Sequence, residues 1–332
     1  MTPPFTLEKS ERKRPLVSVC VVTYNQQAYI RDAVMSVIAQ CTPLFFDLEI
    51  LIGDDGSTDA TLGILQNLAA QYPETVFIMS HQPNIGATEN YKALIRRARG
   101  DFVAHLDGDD CWLPGKLLAQ LTFLEQHPEC IAVYTGAMVM DTEMHLLGSF
   151  TNNQPVVFGL ERLLSEGNFL CHSTLLYRSP KIQGVLNLPS PFLDFEIHLT
   201  LATGHMLGFL NQQLAIYRSM VAGSFTRDRR SQIDKLYFAA LKKHLPAAAR
   251  STRSQGIAHY AVNMAAAYPT RMLENVYWKS IYELKNDADV PAYAILGCSA
   301  RFFGQLLKRK LSRVTANFFN SRERFIVFYP TR

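Results

Sequence analysis

No stretch of this 332-residue chain reaches the ~18–20 consecutive apolar residues that a membrane-spanning helix requires. The opening segment, MTPPFTLEKSERKRP, carries charges with no apolar core after them, so it does not read as a secretion signal. The chain lacks any CxxC. Its six cysteines (Cys20, Cys41, Cys111, Cys130, Cys171 and Cys298) are scattered, with no histidine at zinc spacing, and read as buried thiols in a reducing cytoplasm. Both GxxxxGK[ST] and GxGxxG are missing, which disfavours a glycine-rich phosphate cradle and turns attention to metal and carboxylate. Neither an internal repeat nor a low-complexity tract occurs. With 48% apolar and 19% charged residues, general disorder is excluded. The length suits one large domain with an appendage, or two domains.

The net charge of +4 conceals an asymmetry. Residues 230–332 hold 17 Lys and Arg against 6 Asp and Glu, so the C-terminal third carries +11 and the preceding residues −7. Residues 1–14 read as a loose polar arm, 15–228 as the main domain and 229–332 as a helical, basic C-terminal region.

Leu16–Val22 is a β-branched run of the kind buried on both faces of a parallel sheet. Ala28–Ala39 has the apolar spacing of an amphipathic helix. A second strand, Leu48–Ile52, runs into the turn-rich Gly53–Asp59, where Ser57 or Thr58 offers a cap for a helix through Leu68. Val76–Met79 predicts a short strand, Glu89–Ala98 a helix, and Phe102–His105 a fourth strand. Strand–helix alternation at this spacing means βαβ units and a twisted, mostly parallel α/β sheet. Ligands of such sheets bind beyond the carboxyl ends of the strands. Thr23–Asn25, Asp54–Asp55 and Asp107–Asp110 all follow strands, so they are expected to meet in one crevice. Further on, Lys116–Gln126 predicts a helix, and Cys130–Met140, Leu170–Tyr177 and Met206–Tyr217 predict strands. A helix is expected from Asp194 to Ala202, and mostly helices from Ser231 to Phe319.

The segment FVAHLDGDDCWLP places Asp107, Asp109 and Asp110 directly after an apolar strand. Crowded carboxylates repel one another and are costly to desolvate, so a hard divalent cation, Mn²⁺ or Mg²⁺, is their natural companion. Gly108 lets Asp107 and Asp109 reach a shared ion. The plainer alternative is that the acids hydrate a loop. For Asp54 and Asp59 the plainer reading is turn and helix capping.

Three segments in order, VSVCVVTYNQQAYIRDAVMSVIAQ, LEILIGDDGSTD and NIGATENYKALIRRARGDFVAHLDGDDCWLPGKL, resemble the signatures of family-2 glycosyltransferases of the GT-A fold. The resemblance covers about Leu16 to Arg218. It implies an inverting, metal-dependent transfer of a sugar from a nucleoside-diphosphate donor, most often a uridine one, to a hydroxyl of a glycan or lipid-linked glycan. It further implies donor contacts from Thr23, Tyr24, Asn25, Asp55, Asn84, Asn90 and Asp107, with metal at Asp109 and Asp107. Asp194 stands where the family places its general base, and Glu196 is the alternative. His172 and Ser173 fall where the family lines its acceptor side. Trp112, also on that side of the map, reads as core or a pocket wall. Tyr217–Arg218 matches the family's end-of-domain pair, while Met220 stands where relatives often carry a histidine, with Arg218, His205 or Arg227 as substitutes. A setting in bacterial surface polysaccharide synthesis is implied by the resemblance alone.

Two other classes compete: a sugar nucleotidyltransferase, which would want a glycine-rich basic loop after the first strand, and a non-catalytic membrane-associated member of the fold. Ala300–Phe319 alternates apolar and basic residues near helical period, which suits a helix lying on an anionic membrane face or one packed on the main domain. The expected location is the cytoplasm, with a peripheral place on the inner membrane face in the first case. Nucleic-acid binding is disfavoured, since no reader motif accompanies the basic residues.

Overall fold

The computed structural model describes residues 14–42, 44–179, 182–219, 230–267, 275–304 and 326–329. The expected N-terminal arm (apart from Arg14), Met220, Arg227 and the 305–319 part of the expected basic helix lie outside the described residues.

Four strands build the first half of the sheet: β1 (Leu16–Thr23), β2 (Asp47–Asp54), β3 (Val76–Ser80) and β4 (Phe102–Asp107). They are mutually parallel in the order β4-β1-β2-β3, and Val19, Val21, Ile50 and Ile52 are fully buried between the helical layers. The connecting helices are α1 (Ile30–Ile38), α2 (Thr61–Gln71) and α3 (Ala87–Arg97). The register Val22↔Asp107 and Thr23↔Asp54 brings the ends of β1, β2 and β4 to one edge of the sheet. Parallel strands can end together in this way only because each returns through a helix.

Past β4 come the two-residue β5 (Cys111–Trp112), α4 (Lys116–Gln126) and the long β6 (Cys130–Met140). Next are β7 (Leu146–Ser149), β8 (Val157–Phe158), α5 (Leu160–Glu166), β9 (Leu176–Arg178), α6 (Ile182–Leu186), α7 (Asp194–Ala202) and β10 (Met206–Arg218). β9 runs antiparallel between β4 and β6 and so joins the two halves of the sheet. The expected strand over Leu170–Tyr177 is corrected here. His172–Thr174 form a single 3₁₀ turn, and only its far end enters the sheet. Thr174 Oγ1 donates to the Cys171 carbonyl (2.8 Å), a local bond that competes with ladder pairing. Capping of α2 by Ser57 or Thr58 is corrected as well. Asp59 Oδ1 accepts the Thr61 N–H (2.9 Å), while Ser57 and Thr58 bond to Asn25.

The basic region forms α8 (Arg230–His244), α9 (Arg250–Ala267), α10 (Asn275–Asp287) and α11 (292–304). Among the described residues it has no separate core. Leu241, Leu245, Ile257 and Ala258 share one apolar cluster with Leu163, Leu164, Phe195 and Ile197 of α5 and α7. Phe195 stacks on Tyr237 with ring centres 4.8 Å apart, so α8 is a direct support for α7. The last strand, β11 (Ile326–Val327), returns to pair with β7.

Candidate active site

The acid turn closes β4. Gly108 donates its N–H to the Val22 carbonyl (2.9 Å), which presses the turn against the end of β1. A side chain at Gly108 would collide with Gln26 Oε1 and crowd Thr23, so glycine is required by close approach. Asp110 is buried. Its Oδ1 accepts the Arg218 N–H (2.9 Å) and its Oδ2 accepts the Ser173 hydroxyl (2.6 Å). Both oxygens are thereby engaged inside the protein. Burial, with the charges of Asp109 and Asp107 beside it, pushes the Asp110 carboxyl well above the usual range.

Asp107 and Asp109 stay partly exposed. Asp107 Oδ1 lies 3.0 Å from His105 Nε2 and Oδ2 3.2 Å from Ser173 Oγ. Burial works against ionisation of Asp107, but His105 and Ser173 outweigh it and hold the carboxyl below its ordinary value. Asp109 is pushed up to about 7 by burial and then by the charge of Asp107. Arg218 opposes this from beneath: its Nη1 donates to the Asp109 carbonyl (2.6 Å), its Nη2 approaches Asp32 (3.4 Å), and its guanidinium lies over the Tyr29 ring. Part of the compensation for the acid cluster is therefore built into the protein.

Around this turn several buried polar atoms have no protein partner among the described residues: Thr23 Oγ1, Gln26 Oε1, Asp54 Oδ1 and Asn90 Oδ1. Unpaired buried groups are expensive, and such a group of them at strand ends is suited to a polar ligand. No three described His, Cys, Asp or Glu side chains form a ready metal cage. The donor set Asp107 and Asp109 nonetheless fits a hard cation that completes its shell with water and phosphate oxygens. The elevated Asp109 carboxyl beside an ionised Asp107 is the arrangement a cation would relieve.

The remaining expected donor residues shape the neighbouring loops. Asp55 accepts backbone N–H groups of Ile85 (2.8 Å) and Gly86 (2.9 Å). Asn84 donates to the Asp55 carbonyl (2.8 Å), and Asn90 donates to the Gly53 carbonyl (2.8 Å). Asn25, in a left-handed conformation at φ 52°, accepts the Thr58 N–H (2.7 Å) and joins the loops after β1 and β2. Tyr24 stands exposed at the rim. Asp54 has the turn role expected of it, accepting from Ser57 N–H and Ser80 Oγ.

Asp194 is the first residue of α7. It keeps solvent access, yet the protein packed around it and then the charge of Asp107 raise its carboxyl to about 6. Glu196 points elsewhere: it is buried and accepts from Lys243 Nζ of α8 (2.8 Å). Ser173 belongs to the acid turn. Trp112 is buried, with Nε1 donating to the Ser173 carbonyl (2.7 Å) and Lys116 3.9 Å over its ring, in keeping with the core reading.

Sequence reasoning passed over Gln26, His105 and His198. His105 precedes Asp107 by two residues on one strand, so alternation alone puts the two side chains on one face. Its ring lies 4.0 Å from that of His172, whose Nδ1 is 3.2 Å from His198 Nε2. Burial and then the His105 charge keep His172 well below the ordinary histidine range and bring His198 to about 3, so both are neutral imidazoles near pH 7.

Residues 18–183 match the family model described as glycosyl transferase family 2, and the chain belongs to that family. An uncharacterised protein of Mycobacterium tuberculosis, Rv1520, is 31% identical over 213 residues, covering 62% of this chain and 60% of its own length. The chain thus spans about 60% of the length of the first curated relatives it matches. Among solved structures, residues 1–349 of Staphylococcus aureus TarS superpose with a TM-score of 0.60 at 16% identity, covering 84% of this chain and 82% of that one. TarS has also been solved with UDP-GlcNAc. The mannosyltransferase PcManGT of Pyrobaculum calidifontis, solved with GDP-Man and Mn²⁺, gives 0.56 at 17% identity over 93% and 89% of the two chains. At such identities the likeness is one of fold.

Proposed function

We propose that this protein is an inverting glycosyltransferase that moves a sugar from a nucleoside-diphosphate donor, a uridine one foremost, to a hydroxyl of a glycan or lipid-linked glycan. The observation that carries the reading is the nearness of these carboxyls: Asp107 and Asp109 end β4, and Asp194, the first residue of α7, is close enough to Asp107 for that charge to help raise it to about 6. Family membership and the fold shared with TarS and PcManGT support it. Synthesis of a bacterial surface polysaccharide at the cytoplasmic membrane face is the proposed setting, with the basic C-terminal region as the contact. No helix among the described residues is long and apolar enough to cross a membrane.

Asp194 takes the proton of the acceptor hydroxyl during in-line attack. A carboxylate near 6 is mostly ionised at pH 7 and more basic than an ordinary aspartate. Attack opposite the leaving group turns an α-linked donor into a β-linkage. Thr23, Gln26, Asp54 and Asn90 offer unpaired polar atoms to the donor, and Asp107 and Asp109 would hold a divalent cation. Bound there, Mn²⁺ or Mg²⁺ supplies charge stabilisation for the departing diphosphate. His105 orients Asp107. The nucleotidyltransferase alternative is disfavoured because the loop after β1 is Tyr24–Tyr29, which contains neither glycine nor a basic residue.

The test is release of nucleoside diphosphate from a panel of nucleotide sugars. Release is expected to need Mn²⁺ or Mg²⁺ and to collapse in Asp109→Ala. Full release in metal-free buffer would refute the assignment.

A further inference from the structure

The chain's last described segment joins the sheet that carries the acid turn. β11 adds to the sheet parallel to β7 in the register Ile326↔Gly148 and Val327↔Ser149. Three further bonds extend the pairing: Phe328 N–H to the Ser149 carbonyl (2.9 Å), Tyr329 N–H to the Phe150 carbonyl (2.7 Å), and Thr151 Oγ1 to the Tyr329 carbonyl (2.8 Å). The approach is built for this partner, because a Cβ on Gly148 would collide with the Ile326 carbonyl. The pairing directs Tyr329. Its ring packs on Phe150 at 4.5 Å, and Phe150 meets Tyr217 edge-to-face at 5.1 Å. Tyr217 precedes Arg218, which is bonded to Asp109 and Asp110. Tyr329 remains 43% exposed. Burial first and then the Asp194 charge raise its phenol, so the hydroxyl stands within the field of the proposed base.

We propose that β11 is part of the substrate cleft and that Tyr329 forms a wall of the acceptor site, its ring receiving the apolar face of the acceptor sugar beside Asp194. This rests on the glycosyltransferase reading above. A half-exposed aromatic ring held by backbone pairing has little conformational freedom to lose when a sugar packs on it. Such rings, with a few polar groups, are the usual lining of small-molecule sites. The ring contacts through Phe150 to Tyr217, next to the acid turn, together with the Asp194 charge that reaches its phenol, assign it to the acceptor side.

The experiment uses the full chain and reads two products from one sample. One is sugar transferred to a panel of methyl glycosides, and the other is nucleoside diphosphate released to water. Their ratio does not depend on the fraction of folded enzyme. In Tyr329→Ala the ratio is expected to fall about ten-fold, the loss of one good ring contact. Gly148→Val, which expels β11 from the edge without touching Tyr329, should lower it equally. Tyr329→Phe keeps the ring and should restore the ratio. A wild-type ratio in either Tyr329→Ala or Gly148→Val, or a Tyr329→Phe ratio as low as that of Tyr329→Ala, overturns the proposal. Asp194→Asn run alongside separates the two readings. Normal transfer in that variant dismisses the base, whereas a normal ratio in Tyr329→Ala dismisses only the wall.

Discussion

Replacing Arg218 by methionine removes the guanidinium and keeps the aliphatic stem. Arg218 is buried, and its Nη1 bond to the Asp109 carbonyl at 2.6 Å is charge-assisted. Losing such a bond, with the carbonyl left unsatisfied, costs about 1.5–3 kcal/mol. The contact over the Tyr29 ring at 5.2 Å adds about 0.5–1 kcal/mol. The pair with Asp32 adds little, because Asp32 is 66% exposed and solvent screens it. The expected loss is therefore about 2–4 kcal/mol in guanidinium unfolding, read as a lower midpoint at unchanged slope. There is a second consequence at the acid turn. Arg218 holds the Asp109 carboxyl down, so without it that carboxyl rises above about 7 and a proton competes more strongly with a metal for it. Calorimetric titration with Mn²⁺ at pH 7 should show weaker binding, recovering as pH is raised. A loss below about 0.5 kcal/mol, the scale of an ordinary surface change, would refute the brace.

The dependence of kcat/KM on pH should carry an acidic limb near 6, because Asp194 must be ionised to accept a proton and is protonated below that value; a limb near 4 would remove burial from the account. Glu196→Gln should cost no more than about 1 kcal/mol of stability, since Lys243 is half exposed, and transfer should persist; its loss would move the base to Glu196. Gly108→Ala should weaken nucleotide-sugar binding about ten-fold by displacing Gln26 and Thr23, measured by thermal shift, and unaltered binding would place the donor elsewhere.

Much of the catalytic half was legible because its signals are local. The β-branched run at β1 and the apolar lead into Asp107 announce buried parallel strands. The periodicity of Lys116–Gln126 and the run Cys130–Met140 give elements with the bounds observed. The acid turn was legible as carboxylates following an apolar strand, whereas Asp194, with Glu196 as the alternative, was singled out only by the resemblance to the family. Less accessible was the turn at His172–Thr174, whose apolar surroundings read as strand while Ser173 and Thr174 bond to an acid and a carbonyl. Arg218 as the partner of the acid turn depends on a contact across 109 residues. The pairing of β11 with β7 is likewise decided by what Gly148 lacks, and a missing side chain leaves no pattern in composition or period. The basic tail likewise gave its charge to sequence reading, but not its share in the core around Phe195.

The central claim is that one cleft holds a donor at Asp107 and Asp109 with a base, Asp194, facing it. Asp194→Asn tests it most directly: donor binding by calorimetry and transfer to an acceptor are measured on the same preparation. The account predicts donor affinity equal to that of the unaltered protein and transfer reduced at least about a hundred-fold, the lower bound for losing a general base. Undiminished transfer would contradict it.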